Sequence, residues 1–329
     1  MRLDMDQKNR IYIAGHRGLV GSALLQKLQA DGYSHLITRT RSELDLTDGS
    51  KVDRFFKMER PEYVFLAAAR VGGIEANRSF PAEFILENMM IQSSVIRASH
   101  SHGVQRLIFF GSNCAYPKNC PQPMKEEYIL SGRLEPTSLP YAVAKIAGMK
   151  MCEAYNRQYG TLFVSVIPAT LYGPRDNFDP QTSHVLSALI HKFHEAVSGG
   201  EEQVVVWGSG KPRREFLYVG DLVDACFVLM KLDSKILRSA IEQSNFVINV
   251  GPGTDIRMMD LANLIRKSMD CSAELTLDPS KPDGTPRRLL DSRSIRALGW
   301  MPRVSLEEGI RKTYDWYKKT EIKIKDPVR

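Results

Sequence analysis

Residues 11–22 read Ile11-Tyr12-Ile13-Ala14-Gly15-His16-Arg17-Gly18-Leu19-Val20-Gly21-Ser22, and this stretch decides the fold. Four apolar residues read as a buried strand. Three glycines follow in a Gly-x-x-Gly-x-x-Gly spacing, and helical apolar spacing then runs from Leu19 to Leu28. Glycines between a strand and a helix are the signature of a dinucleotide site. Gly15 permits the tight turn off the strand, Gly18 lets a pyrophosphate approach the backbone, and Gly21 lets helix and strand pack. The helix N-terminus offers free N–H groups and the positive end of its dipole to the phosphates. A turn that needs its glycines only for packing is the plain alternative.

Outward from this stretch the rhythm repeats. Further strands are predicted at His35–Thr38 (weaker), Tyr63–Ala67, Arg106–Phe110 and Phe163–Ile167. Long helices are predicted at Phe84–Ser99, with Pro81 as a starter, and at Tyr141–Tyr159. Continuous apolar strands alternating with helices imply a parallel sheet covered on both faces. The expected class is α/β: a doubly wound parallel sheet of Rossmann type with a smaller C-terminal α/β substrate domain. After Pro174, Pro and Gly punctuate more often. The expected division is therefore 1–174 plus about 218–251 for the nucleotide domain, and about 175–217 plus 252–329 for the substrate domain.

Composition narrows the class. The 329 residues are 43% hydrophobic and 25% charged, an ordinary globular balance. No run approaches the roughly 20 apolar residues of a membrane helix. The opening residues Met1–Arg10 are polar and charged, unlike a secretion signal. The net charge of +7 comes from scattered Lys and Arg rather than a basic stripe, so nucleic acid is not expected; a solvated basic surface and anionic ligands such as phosphates both fit it. The five cysteines, Cys114, Cys120, Cys152, Cys226 and Cys271, form no Cys-x-x-Cys or Cys/His cluster. Neither a disulfide scaffold nor a metal site is expected, and a reducing cytoplasm fits.

The nicotinamide type is read after the second strand. NAD sites place an acid there for the ribose 2′-hydroxyl. Here Thr38-Arg39-Thr40-Arg41-Ser42 offers arginines, and Arg17 lies in the glycine loop. Guanidinium forks match a 2′-phosphate, so NADP(H) is expected, with Arg41 as a contact. Surface charge is the alternative for Arg39 and Arg41.

Tyr141 and Lys145 stand four apart at a predicted helix start, one turn from each other. A nearby ammonium and a cationic nicotinamide ring would lower the phenol's pKa. Gly111-Ser112 closes the preceding strand, where doubly wound folds place their ligands. Ser112 is in reach of the oxygen that Tyr141 would protonate. Tyr-x-x-x-Lys alone is weak. Glycine loop, Ser, Tyr and Lys in this order are a strong joint signal.

With these residues the chain resembles the extended short-chain dehydrogenase/reductases, and within them the epimerase/reductases of GDP-linked 4-keto-6-deoxy sugars. Further segments carry the likeness: Leu66-Ala67-Ala68-Ala69, Val71-Gly72-Gly73-Ile74, Pro140–Gly148, Leu171-Tyr172-Gly173-Pro174, Ser183-His184-Val185, Val204–Gly208, Arg214-Glu215-Phe216-Leu217 and Lys281–Arg287. The resemblance implies 3,5-epimerisation and 4-reduction of GDP-4-keto-6-deoxy-D-mannose to GDP-L-fucose. It implies Cys114 as base and His184 as acid for the inversions. Tyr141 would protonate the new alkoxide, Ser112 orient the carbonyl, and Lys145 hold the nicotinamide ribose. Cofactor contacts would come from Gly15, His16, Arg17, Gly18, Leu19, Val20, Gly21, Arg41, Leu46, Gly111, Lys145, Pro168, Leu171 and His184. Lys192, Trp207, Arg214 and Asp283 would contact substrate. A homodimer joined by Phe84–Ser99 and Tyr141–Tyr159 is also implied. On their own, a lone Cys is more often a small buried hydrophobe and a lone His more often structural.

The chain departs from the family pattern at Asn113, where a serine is usual, and at Ala169, Thr170, Lys192 and Gly220. Two other readings compete. One is a 4-epimerase or 4,6-dehydratase that recycles tightly held NAD; the arginines, Cys114 and His184 argue against it. The other is a non-enzymatic dinucleotide sensor, which would be expected to lose the Tyr/Lys pair.

Overall fold

The computed structural model describes residues 5–179, 182–281 and 283–325. Pro282, within one of the motifs quoted above, lies outside them, as do the first and last four residues. The chain opens with β1 (Ile11–Ala14), α1 (Leu19–Ala30), β2 (Leu36–Ile37), α2 (Gly49–Glu59), β3 (Tyr63–Leu66), α3 (Ile74–Ser79), α4 (Pro81–Ser101), β4 (Arg106–Phe110), α5 (Leu139–Tyr159) and β5 (Phe163–Pro168). Then come β6 (Thr170–Tyr172), α6 (Val185–Gly199), β7 (Gln203–Trp207), β8 (Arg213–Arg214), β9 (Phe216–Tyr218), α7 (Val219–Lys231), α8 (Ser234–Gln243) and β10 (Val247–Val250). The last elements are β11 (Ile256–Arg257), α9 (Met258–Ser268), β12 (Glu274–Asp278), β13 (Arg287–Arg288), α10 (Arg293–Ala297) and α11 (Leu306–Lys325).

Six parallel strands pair in the order β10-β5-β4-β3-β1-β2. β1, β3, β4, β5 and β10 are buried along their whole length, which explains their unbroken apolar runs. The chain leaves β1 in one direction to β2 and returns on the other side to β3. That reversal opens a crevice above the carboxyl ends of β1 and β3, the usual ligand position in such sheets.

The predicted strands and long helices are present, with small shifts at their ends. Pro81 opens α4 as expected, because a missing N–H costs nothing in a first turn. The second strand shrinks to two half-buried residues at the sheet edge. The sequence reading did not name α2. Its signal was present: Asp48 caps the helix, its carboxylate accepting from Ser50 N and Lys51 N, and Val52, Phe55 and Phe56 are buried.

Beyond β5, the strands other than β10 sit in three small sheets: β11-β8-β13, β12-β7 and β6-β9. A second apolar cluster forms there around Leu189, Ile190, Phe193, Leu261 and Ile310. Leu290, Ile295 and Trp300 instead join the cluster around the large sheet, although they fall in the stretch assigned by sequence to the substrate unit. The Trp300 indole donates to the Asp221 carbonyl at 3.0 Å, fastening this segment to α7. Among the described residues no helix is long and apolar enough to cross a membrane, and no three ligating side chains could hold a metal ion.

Candidate active site

The glycine loop separates packing demands from functional ones. Gly15 has φ +84°, and a Cβ there would lie 2.7 Å from Ala68 N. A Cβ on Gly21 would lie 2.2 Å from the Gly15 carbonyl oxygen. Those two glycines are required by the fold. Gly18 has ordinary extended dihedrals, and its Cβ would meet only the Gly15 oxygen at 3.6 Å. No contact within the protein requires a glycine there. The open space in front of Gly18 faces the uncapped N-terminus of α1, where Leu19, Val20 and Gly21 present the first-turn N–H groups. Beside them His16 Nδ1 is buried without a protein partner. A cradle with no packing purpose, free donors and an orphaned polar atom fits a dinucleotide pyrophosphate. Gly18→Val is therefore expected to leave the melting temperature nearly unchanged and to weaken NADPH binding at least ~10-fold by titration. Gly21→Ala is expected to cost roughly 1–3 kcal/mol in denaturant unfolding, as overpacking does.

Near the ribose pocket expected after β2, Arg39 is engaged, with Nη2 2.5 Å from Glu59 and its guanidinium 5.5 Å from the Phe55 ring. Arg41 is 73% exposed and lies 3.5 Å from Glu87. Arg17 is exposed. Leu46 and Pro168 are buried, and Leu171 is half-buried on β6. Gly111 is needed for packing, since a Cβ would lie 2.8 Å from Met149 Sδ.

Ser112, Cys114, Tyr141 and Lys145 come together at the carboxyl end of β4 and the first turns of α5. Ser112 Oγ accepts from Cys114 N at 3.2 Å and so shapes the 3₁₀ turn Asn113–Ala115 that carries the thiol. Cys114 Sγ donates to Asn113 Oδ1 at 4.0 Å. The Tyr141 hydroxyl hydrogen-bonds the Ser112 side chain, and its ring packs edge-on to Phe84, 6.2 Å between centroids. Lys145 is 4% exposed, and its Nζ donates to the Phe110 carbonyl at 2.8 Å, 5.8 Å from the Tyr141 ring centre.

Burial, reinforced by Cys114 and only partly offset by the Ser112 bond, pushes the Tyr141 hydroxyl above the ordinary phenol value. Lys145 is itself pushed down to about 8 by burial. A neutral phenol is the form that can donate a proton to an alkoxide. The Lys145 shift also bears on stability. Between pH 8 and 10.5 the unfolded chain keeps a proton that the native chain sheds, so this group's contribution to stability rises with pH there. In full it amounts to roughly 3 kcal/mol, at about 1.4 per pH unit. Lys145→Met should thus be favoured over the parent most at pH 7, and the difference in melting temperature should shrink by pH 10.

His184 caps α6, exposed and with no side-chain cap bond. The loop before it is tied to the start of α3 through Gly73, whose N–H donates to the Thr182 carbonyl at 2.9 Å. A Cβ on Gly73 would lie 3.0 Å from the Ser183 carbonyl, which explains the second glycine of the Val71-Gly72-Gly73 motif. Asp176, which sequence reasoning passed over, accepts from Ser187 Oγ at 2.5 Å and interacts electrostatically with His184.

The expected substrate contacts form a basic wall. Trp207 is 50% exposed, with Lys192 Nζ 4.8 Å and Lys281 Nζ 5.2 Å from its ring centre. It is a surface platform rather than a core tryptophan. Arg214, pushed down to about 10 by burial and then by Arg288, lies within electrostatic reach of Cys114 and Asp283. Asp283 accepts from Ser209 N and Ser209 Oγ, each at 2.7 Å, so it braces the Gly208 turn. Its sugar-binding role would have to use its remaining lone pairs.

This geometry defines a class: a nucleotide-binding α/β oxidoreductase with a Ser/Tyr/Lys centre. The chain belongs to the NAD dependent epimerase/dehydratase family, whose model matches residues 11–251. It is 50% identical over 310 residues to the GDP-L-fucose synthase of Escherichia coli K12, covering 94% of this chain and 97% of that protein. A solved GDP-6-OMe-4-keto-L-xylo-heptose reductase from Campylobacter jejuni superposes with TM-score 0.91 at 40% identity, over 96% and 99% of the two chains. A GDP-D-glycero-L-gluco-heptose synthase from the same organism, solved in the presence of NADPH, gives TM-score 0.88 at 39% identity over 95% and 99%.

Proposed function

We propose that the protein is an NADPH-dependent epimerase/reductase that converts GDP-4-keto-6-deoxy-D-mannose to GDP-L-fucose. The observation that carries this is the cluster of Ser112, Tyr141, Lys145 and Cys114 in a chain half identical, end to end, to a GDP-L-fucose synthase. A plain reductase has no need of Cys114 and His184.

In this reading, a ketone at C4 acidifies the C–H bonds at C3 and C5. Cys114 removes a proton from one face and His184 returns one to the other. Ser112 and Tyr141 bind the C4 oxygen. NADPH, when bound, supplies the hydride to C4. Tyr141 gives that oxygen its proton, and Lys145 holds the ribose. Arg214, Lys192 and Trp207 receive the GDP moiety, and Asp283 the sugar.

The division into a nucleotide unit and a substrate unit with the site between them belongs to the same proposal, as does a working place in the cytoplasm. So does a homodimer. α4 and α5 pack against one another and leave Leu86, Met89, Met90 and Val143 exposed, and a second copy of the same helices would cover that face.

Two measurements test this. GDP-4-keto-6-deoxy-D-mannose should be reduced with one NADPH consumed per sugar, and Arg41→Ala should lower the preference for NADPH over NADH at least ~10-fold, given the charge-assisted bonds that guanidinium would supply. An unchanged preference would remove Arg41 from the 2′-phosphate site. A second reading, a C4 reductase for another GDP-linked keto sugar, is favoured by the heptose enzymes among the structural neighbours. It predicts turnover only with a different sugar.

A further inference from the structure

Arg288 ends β13 and is 8% exposed. Its guanidinium crosses from the C-terminal part of the chain to the wall of the active site. Nη1 donates to the main-chain carbonyl of Asn113, the residue before Cys114. Nη2 lies 3.4 Å from Thr285 Oγ1, on a residue that is itself buried. The same Asn113 carbonyl accepts from Tyr116 N at 3.3 Å, so Arg288 grips the oxygen that closes the turn carrying the thiol. The segment around Arg288 is strapped down on both sides. Leu289 N donates to Gln122 Oε1 at 2.8 Å, Met124 N to the Leu289 carbonyl at 2.7 Å, and Leu290 N to Glu215 Oε2 at 2.8 Å.

Among the described residues no carboxylate pairs with Arg288. Its charged neighbour is a second cation, Arg214. A buried guanidinium facing another guanidinium is an expensive way to fill space. An apolar side chain would pack there at less cost. What an apolar side chain could not do is make the charge-assisted bond to the Asn113 oxygen.

We propose that Arg288 is a positioning residue for the epimerisation step: it fixes the Asn113–Ala115 turn so that Cys114 Sγ meets the sugar carbon it deprotonates. This rests on the reading of Cys114 as the base.

The test follows exchange alone, with no hydride transfer. Parent, R288K and R288M proteins are incubated in D2O with GDP-4-keto-6-deoxy-D-mannose and NADP⁺. Deuterium at C3 and C5 is followed by NMR across substrate concentrations. In R288M the exchange turnover is expected to fall ~10- to 100-fold with KM within about 3-fold, since small displacements of a reacting group cost that much. R288K, which can make one such bond, should regain part of the rate. Should R288M not fold, R288K carries the test: slower exchange at unchanged KM is expected. Unchanged exchange overturns the proposal. So does a rise in KM alone, which would make Arg288 a phosphate contact. No exchange in the parent protein would instead overturn the reading of Cys114.

Discussion

Replacing Tyr141 with Phe is expected to lower NADPH oxidation by about 10³-fold, within the range that a positioned general acid supplies. The substitution removes one oxygen and leaves the packing. The ring keeps its edge-on contact with Phe84, and Lys145 keeps its bond to the Phe110 carbonyl. What disappears is the proton donor that burial holds in its neutral form. Ser112 remains, still accepting from Cys114 N but without its Tyr141 partner. NADPH binding should persist, because the glycine loop and Arg41 are untouched. Deuterium exchange at C3 and C5 should continue, so an epimerised keto sugar accumulates without being reduced. Oxidation within tenfold of the parent would show that another group supplies the proton.

The second large effect is the converse. Cys114→Ala should reduce deuterium exchange at C3 and C5 by at least ~10²-fold, the lower range for losing a general base. The thiol is half-buried and its side chain bonds only Asn113 Oδ1, so the fold loses little. The Ser112 hydroxyl caps the turn by accepting from the main-chain N–H of residue 114, and that bond survives. NADPH affinity and the Tyr141 environment should be unaltered. Exchange at the parent rate would mean that Cys114 is a packing residue and that the base lies elsewhere. Together the two variants separate proton exchange at C3 and C5 from reduction at C4.

The parts of this site that were legible in the sequence are those set by local chemistry. Gly15 and Gly21 stand where backbone approaches backbone, and any side chain would collide. Tyr141 and Lys145 share a helix face by spacing alone. The long strands announce themselves because both faces are covered. The rest depends on distance along the chain. Arg288 bonds a carbonyl 175 residues away, and no local pattern marks it. β8, β11 and β13 are two residues each, too short for any period to show. Asp283 is named as a substrate contact by resemblance alone; that both its oxygens accept from Ser209, 74 residues earlier, no local pattern shows. Spacing shows which side chains are near each other but not how deeply they are buried, and burial governs both groups here.

The most direct test of the central claim is a single reaction of the parent protein with GDP-4-keto-6-deoxy-D-mannose and NADPH in D2O, with the product analysed by NMR and by chromatography against GDP-L-fucose. The account predicts one NADPH consumed per sugar, deuterium at both C3 and C5, hydrogen from the cofactor at C4, and co-elution with GDP-L-fucose. A reduced product that carries no deuterium at C3 and C5, or no NADPH consumption by protein that binds the cofactor, would contradict it.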